Sequence, residues 1–388
     1  MNFSNIISIA MVAYVALAHA QITSTVAVAP TAVKKDKQLH FYNWVEYIAP
    51  NTLKDFEKKT GIKTSYDVYD SNEVLQGKLL SGKSGFDLVS PSHDFYKAQI
   101  RAGAFCKLDK SQLPNWKNLD PVIMKKISSY IDEDNQYGIP YLWGTTGIGY
   151  NKEAVEKILG KNAPVDSWAL VFEPENMKKL QECGVAFIDA PTEVLPSVIA
   201  YLGRPGDSID IKDYQAAVEK ISKVRNYVSY FHSSKNITDL ANGDICVAIG
   251  WSGDMLMAKE RAKDANNGID IHYSIPKEGA PMWFDMLAIP ADASNKNAAH
   301  AMLNHLMDPK VIANITNHIS YANPTPASKP FINPEIVNNP GIYPGNHVME
   351  NLFIYRELPA RDKKNRHDLR RYITQQWRKI TMGSFDTK

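Results

Sequence analysis

The sequence predicts an α/β protein with a mostly parallel β-sheet. From Gln38 onwards, short apolar strand segments alternate with amphipathic helical segments, and the loops between them are short. The alternation resumes after an apolar segment interrupted by glycines, Tyr141 to Tyr150. This segment predicts that the chain crosses there from one α/β unit to a second. Crossover connections in such a sheet are right-handed, and ligands gather at the carboxyl ends of the strands.

The first predicted unit consists of alternating strands and helices. Pro50-Asn51 opens its first helix and Gly61 ends it, because proline suits the first helical turn and glycine the position after the last one. The other segments are strands Leu39 to Trp44, Ile62 to Tyr69 and Phe86 to Val89, and helices Asn72 to Leu80 and Asp94 to Ala102.

The second predicted unit repeats the pattern. A buried strand, Ile245 to Ile249, is bounded by glycines, and a helix begins near Met255. The other strands are Val185 to Ile188, Tyr227 to Phe231, Tyr273 to Pro276 and Met282 to Ala288. The other helices are Val155 to Leu159, Asn176 to Glu182, Val194 to Leu202, Tyr214 to Val224, Ser234 to Asn242, Asn297 to Leu306, Pro309 to Ile315 and Asp368 to Lys379.

The N-terminal segment predicts export. An uncharged apolar run, Ile6 to Leu17, is followed by Ala18-His19-Ala20, which is typical of a signal peptide cleaved after Ala20. Residues 21–37 are small and rich in valine and threonine, and they predict a flexible leader. No later stretch of the sequence is long and apolar enough to span a bilayer.

Charge and cysteine content narrow the class of function. Lys and Arg total 44 against 42 Asp and Glu, and this balance argues against a nucleic-acid-binding or membrane-surface protein. The cysteines show no metal-binding spacing. In an oxidising compartment one pair could close: Cys183 and Cys246 border apolar strands, which would leave Cys106 as the odd thiol.

Aromatic residues lie close to acids at the ends of several predicted strands. Trp251 and Asp254 form one such pair. A cation over an indole face gains roughly 0.5 to 2 kcal/mol, and a carboxylate adds a charge-assisted hydrogen bond, so the pair favours cation binding. The structural alternative is that Trp251 fills core space and Asp254 caps the next helix. The pairing recurs at Trp44, Glu46 and Tyr47, and at Trp283 and Asp285.

Other polar residues also follow predicted strands. Ser92 and Asp94 come after the third strand, where each could cap the next helix or reach a ligand. Glu193 follows the strand that ends at Ile188, either as an acid in the first turn of a helix or as a ligand carboxylate.

The sequence lacks the usual signatures of catalysis. It contains no G-x-S-x-G, no H-E-x-x-H and no phosphate-binding G-x-x-x-x-G-K-[ST] motif. A glycosidase that uses two of the carboxylates stays open as an alternative, because tryptophans beside acids also bind sugars.

Blocks of sequence in a fixed order carry a family resemblance over nearly the whole chain after the leader. The blocks are Phe41-Tyr42-Asn43-Trp44, Tyr47-Ile48-Ala49-Pro50, Asp70 to Leu75, Thr145 to Asn151, Asp189-Ala190-Pro191, Leu240 to Asp244, Ile249-Gly250-Trp251 and Tyr321-Ala322-Asn323. In these blocks the chain resembles the bacterial periplasmic polyamine-binding proteins, the putrescine and spermidine receptors of ABC importers, and most of all the putrescine type.

The resemblance implies a periplasmic binding protein fold with two α/β lobes that close on a ligand cleft. Residues 38–143 and 283–328 would form the first lobe, and residues 144–282 and 329–388 the second. The crossings between the lobes would lie near Trp143, Met282 and Ser328.

The resemblance also implies a set of binding residues. The acids and one hydroxyl would hold amine groups, and the aromatic residues would line the methylene chain between them. The implied amine-binding residues are Glu46, Ser92, Glu193, Asp254 and Asp285, and the implied aromatic walls are Trp44, Tyr47, Trp251, Trp283 and Tyr321.

Departures from the putrescine type favour spermidine. Val45 and Glu46 stand where putrescine receptors typically have Ser-Asp, and Trp283 stands where they have Phe. Asp94 replaces a usual Ser and adds a carboxylate to the binding loops, where Val45 contributes only its backbone. We therefore expect polyamine binding with spermidine somewhat favoured, and putrescine preference as the alternative.

The implied biology is that of a monomeric receptor without enzymatic activity, cofactor or metal. It would work in the periplasm and deliver its amine to an inner-membrane ABC permease. A binding protein repurposed for sensing is a further alternative. The pair Cys183 and Cys246 matches a disulfide of the putrescine type.

Overall fold

The computed structural model describes residues 37–356 and 369–383. The predicted signal peptide lies outside the described residues, and so does the predicted leader apart from Lys37. Within the described residues, no helix is both long and apolar enough to cross a membrane.

Three parallel strands form one part of the sheet. Strand β1 (Gln38–Trp44) lies between β2 (Lys63–Tyr69) and β3 (Leu88–Val89) and is parallel to both. Gly61 ends the first helix in the left-handed region, with a φ of 74°, which glycine adopts without steric cost. The connecting helices lie close to their predicted positions and are α1 (Thr52–Thr60), α2 (Asn72–Leu80) and α3 (His93–Arg101).

Two antiparallel strands cross the middle of the sheet. Strand β4 (Gly138–Asn151) pairs with β9 (Ala280–Ala288), with Gly144 opposite Trp283, and β3 is also antiparallel to β9. The sheet is therefore mixed, in place of the mostly parallel sheet that the alternation predicts. Strands that carry the chain from one part of the sheet to the other and back run in opposite directions.

A second group of parallel strands completes the sheet. Strand β5 (Val185–Phe187) lies between β6 (Tyr230–Phe231) and β7 (Val247–Trp251) and is parallel to both. Strand β7 is antiparallel to β4. The strand order is β2-β1-β3-β9-β4-β7-β5-β6, with β8 (Ile271–Ser274) on β4 and β10 (Leu352–Phe353) on β9.

The remaining helices include several that the sequence pattern did not predict, and the longest of these is α4 (Pro121–Tyr130). The Asp120 side chain caps it by accepting the backbone N–H of Val122. The others are α5 (Lys152–Leu159), α6 (Ala169–Phe172), α7 (Pro174–Leu180), α8 (Pro191–Tyr201), α9 (Ile211–Ser222), α10 (Lys235–Asn242), α11 (Ser252–Ala265), α12 (Lys296–Leu306), α13 (Pro309–Ile319), α14 (Pro334–Val337), α15 (Asn346–Asn351) and α16 (Leu369–Met382).

A disulfide joins the residues just before two paired strands. Val185 of β5 lies opposite Val247 of β7, so Cys183 and Cys246 approach to a Cα–Cα distance of 5.4 Å and are bonded. This confirms the predicted pair, and Cys106 is a free thiol.

Two large apolar cores come together near the carboxyl ends of the first strands. One core contains Trp168 and the other contains Phe41, and both residues are fully buried. The half-buried indoles of Trp44 and Trp251 pack against both cores. Two predicted site residues thus lie where the cores meet.

Candidate functional site

Asp285 is the acid on the central strand β9, beside the first group of strands. It is buried in β9 and accepts hydrogen bonds from the Tyr47 hydroxyl and the Ser92 Oγ, each at 2.6 Å. Tyr47 follows β1 and Ser92 precedes α3, so the carboxyl ends of two neighbouring strands bring both hydroxyls to it. Desolvation raises the pKa of Asp285 to about 6, although the two hydroxyl groups oppose the shift.

The turn after β1 holds one predicted site residue and exposes two others. The Trp44 indole N–H donates to the Ser90 carbonyl at 2.9 Å. Val45 is 51% exposed, and the Glu46 side chain is 68% exposed on a backbone with a φ of 54°. The Glu46 carboxylate pairs with the Arg261 guanidinium at 3.9 Å. In this structure Val45 and Glu46 therefore lie outside the buried group of predicted site residues.

Glu193 is the buried acid of the second group of strands. It lies in the first turn of α8 and accepts hydrogen bonds from the Thr146 hydroxyl and, at 3.3 Å, from the Tyr355 hydroxyl. Desolvation raises its pKa to about 7, and the charge of Asp94 contributes to the rise. Trp251 hydrogen-bonds to the same carboxyl group and opposes this shift.

Asp254 is a half-buried acid on the same side. Helix α11 begins at Ser252, earlier than predicted, so Asp254 lies within the first turn and accepts a hydrogen bond from the Tyr321 hydroxyl at 2.8 Å. A side chain on Gly253 would collide with the Tyr321 ring, so glycine permits this close approach. Desolvation raises the pKa of Asp254 to about 6, while the charge of Arg261 lowers it.

Asp94 lies in the first turn of α3, near enough to Asp285 and Glu193 for their charges to interact. Its Oδ1 atom is buried and has no hydrogen-bond partner among the residues that the structure describes. Desolvation raises the pKa of Asp94 to about 6. The charge of Asp285 adds to this rise, whereas a hydrogen bond from the backbone N–H of Phe95 opposes it.

Aromatic rings connect these acids. The Tyr321 ring centroid lies 5.6 Å from that of Tyr47 and 5.2 Å from that of Trp283. The Trp283 side chain is only 7% exposed, yet its indole N–H has no partner among the described residues. A buried donor without a partner is costly, so it points to a ligand or water that accepts from it.

The sequence did not single out two residues that contact Glu193. Thr146 lies on β4, which was predicted only as a passage between units, and Tyr355 follows β10 in a proline-rich segment without a periodic pattern. The only sequence signal for Thr146 was its place in one of the blocks that carry the resemblance. Tyr355 had no such signal.

The chemistry available is charge pairing and apolar contact. Within the described ranges, no lysine or arginine is buried, and no group of three or more His, Cys, Asp or Glu could hold a metal ion. Desolvated carboxylates beside aromatic rings suit a ligand that carries both positive charge and apolar surface. Fold and site together define an α/β ligand-binding protein.

Comparison with known proteins identifies the family. Residues 51–344 match the model of the family described as "Bacterial extracellular solute-binding protein". The chain belongs to this family, and it is therefore a binding protein and not an enzyme. The alternative of a carbohydrate-active enzyme is wrong, because the relatives are binding proteins of transport systems.

Individual relatives confirm the resemblance to polyamine-binding proteins. The chain is 53% identical to the putrescine-binding periplasmic protein SpuD of Pseudomonas aeruginosa, over 90% of this chain and 93% of that one. It is 51% identical to the putrescine-binding periplasmic protein PotF of Escherichia coli, over 91% and 94%. It is 36% identical to the spermidine/putrescine-binding periplasmic protein of Escherichia coli, over 81% and 85%.

A solved structure supports the fold. A putative spermidine/putrescine ABC transporter protein from Listeria monocytogenes superposes with a TM-score of 0.75 at 30% identity, covering 89% of this chain and 99% of that one. The predicted two-lobed periplasmic binding protein fold is confirmed by such neighbours.

Proposed function

We propose that this protein is a periplasmic polyamine receptor that binds putrescine and delivers it to an inner-membrane ABC permease. The observation that carries the proposal is the group of desolvated carboxyl groups for which no buried lysine or arginine is available among the described residues. A desolvated carboxylate needs a cation to offset its lost hydration. An alkyl diammonium supplies two cations and a methylene chain that aromatic rings can cover.

Putrescine is the proposed preferred ligand. The relatives named as putrescine-binding share more identity with this chain than the relative named as spermidine/putrescine-binding. This favours the alternative over the spermidine preference that Glu46 and Trp283 predicted. The exposed position of Glu46 weakens the argument from that residue further.

The proposed lobes keep their predicted boundaries, residues 38–143 with 283–328 and residues 144–282 with 329–388. Support comes from Gly144 and Trp283, which face each other across β4 and β9 at the proposed boundary. Contacts from Tyr321 to Asp254 and from Tyr355 to His93 then cross the cleft, which is the arrangement of a closed receptor.

Ligand charge would drive closure in this scheme. Closing the empty cleft brings like charges together and removes them from water, so the empty closed state is disfavoured. A polyamine would neutralise the carboxylates and shift the population towards the closed state. A monomer is sufficient for this cycle, because both walls of the proposed cleft come from one chain.

The test is a calorimetric titration of purified protein, unfolded and refolded to remove any retained amine. Putrescine, cadaverine, spermidine and spermine would each be titrated at neutral pH. We expect one-to-one binding with a submicromolar Kd, which corresponds to more than ~8 kcal/mol, and putrescine at least as tight as spermidine. If none of the four amines bound, the proposed receptor function would be wrong. If spermidine bound tenfold more tightly than putrescine, the proposed preference for putrescine would be wrong.

A further inference from the structure

Asp94 differs from the other acids of the proposed site. Asp285, Glu193 and Asp254 each accept at least one hydrogen bond from a hydroxyl group. The Oδ1 atom of Asp94 is buried without a partner among the described residues. Asp94 therefore adds negative charge to the site without the hydroxyl donors that stabilise the other carboxylates.

The groups that face Asp94 are predominantly acidic. The tyrosine among them stays neutral because its pKa is raised well above its usual range by burial. His93 is neutral as well, since burial lowers its pKa to about 3. The facing groups are Glu73 on α2, Glu193 on α8, Asp285 on β9 and the phenol of Tyr355, with His93 and its neighbour Lys97 on the same helix as Asp94.

A count of charges shows the consequence for ligands. Four carboxyl groups share the proposed site, namely those of Asp94, Glu193, Asp254 and Asp285. A diamine brings two positive charges and a triamine three, because alkyl amines titrate near pH ~10 and stay protonated at neutral pH. With a diamine, the site therefore keeps uncompensated carboxylate charge in desolvated surroundings.

We infer that Asp94 makes proton uptake by this site depend on the charge of the ligand. When the cleft closes on a diamine the site takes up protons, and when it closes on a triamine it takes up fewer protons. The inference rests on the proposed function. The proton comes from solvent and binds a carboxylate oxygen of Asp94 or of Glu193, whose pKa the charge of Asp94 raises. The raised pKa values of both groups, about 6 and about 7, agree with this direction.

Affinity for putrescine should accordingly fall as pH rises. A complex that takes up one proton loses up to ~10-fold in affinity per pH unit above the pKa of the group concerned in the complex. Asp94 is thereby a specificity-determining residue, because raising the pH weakens diamine binding more than triamine binding.

The test is calorimetry of putrescine and spermidine binding at pH 7 in phosphate and in Tris, whose ionisation enthalpies differ. The difference in observed enthalpy between buffers gives the number of protons taken up. We expect up to about half a proton for putrescine in the unchanged protein, and clearly fewer both for spermidine and for putrescine in Asp94→Asn. Asp94→Ser serves as a second variant should the first fold poorly.

The control is Asp166→Asn, which removes an exposed acid that forms a surface ion pair with Lys277. Its proton uptake should equal that of the unchanged protein. Binding of both amines without proton uptake, or the same uptake in Asp94→Asn, overturns this inference and leaves the receptor function standing. If neither amine binds, the receptor function fails and this inference fails with it.

Discussion

The acids on the two sides of the proposed cleft are held in different ways. Asp285 lies within a strand and accepts both of its hydroxyl hydrogen bonds from its own side of the cleft, from Tyr47 and Ser92. Asp254 lies in the first turn of a helix and accepts its hydrogen bond from Tyr321, on the opposite side. The Asp285 site can therefore form before the lobes close, whereas the Asp254 site is completed by closure.

This difference assigns separate tasks to the two carboxylates. A carboxylate that hydroxyl groups already orient loses little entropy when a cation arrives, so Asp285 is suited to the first encounter with ligand. A carboxylate that gains a partner only across the cleft favours the closed state, so Asp254 is suited to ligand retention. The following substitutions test this comparison.

Asp285→Asn should have the largest effect on binding. Removing one partner of a desolvated charge pair costs about 2–5 kcal/mol, so putrescine affinity should fall by about 30-fold or more. Association should slow and dissociation should quicken, which stopped-flow fluorescence of the cleft tryptophans would measure. Asp166→Asn is the matched control, and a loss of less than tenfold would show that Asp285 does not anchor the ligand.

Asp254→Asn should weaken binding by about 10- to 100-fold, or roughly 1.4–2.7 kcal/mol. The loss should be mainly in the dissociation rate, because Asp254 gains its Tyr321 contact on closure. If affinity stayed within about twofold, the proposed contact with an amine would be wrong. A slower association rate with an unchanged dissociation rate would show that Asp254 acts in the first encounter with ligand and not in its retention.

Glu193→Gln should change how the stability of the ligand-free protein depends on pH. The folded-state pKa of Glu193 is raised to about 7, so its contribution to stability is present at low pH and is lost as pH rises towards and through 7. Between pH 5 and 8 the free energy of unfolding of the unchanged protein should fall by about 2–3 kcal/mol more than that of Glu193→Gln, and its Tm should fall with it. Scanning calorimetry would measure it, and parallel Tm curves would contradict the prediction.

Glu46→Gln should have the smallest effect. The Glu46 side chain is 68% exposed, and its contact with Arg261 at 3.9 Å is that of a weak surface pair. Putrescine affinity should change by less than about threefold, or ~0.6 kcal/mol. A tenfold loss would show that Glu46 enters the cleft when ligand is present and would strengthen its predicted role as an amine-binding residue.

Much of the fold could be predicted from local patterns. The first strand and helix appear where apolar alternation and the signals at Pro50 and Gly61 placed them, because these signals act over a few residues. The direction of the central strands β4 and β9 was missed, since apolar content does not reveal strand direction. Helix α4 was missed as well, although Asp120 supplies its cap.

Part of the candidate site could also be predicted from local sequence patterns. Asp94, Glu193 and Asp254 follow strands and lie in the first turns of helices, and their positions at these strand-to-helix connections are visible in the sequence. Tyr355 could not be found, because it reaches Glu193 from a segment 162 residues further along the chain. The exposure of Glu46 follows from a left-handed turn that the sequence did not signal.

The sequence by itself determined which elements form, which cysteines stand beside paired strands and which acids lie at strand ends. Only the tertiary structure decided which of these acids lose water and which hydroxyl groups meet them. Desolvation depends on atoms from distant segments, as when Tyr47 and Ser92 close around Asp285 in β9. Local sequence cannot encode that environment residue by residue, because it arises only after the strands and helices have packed together.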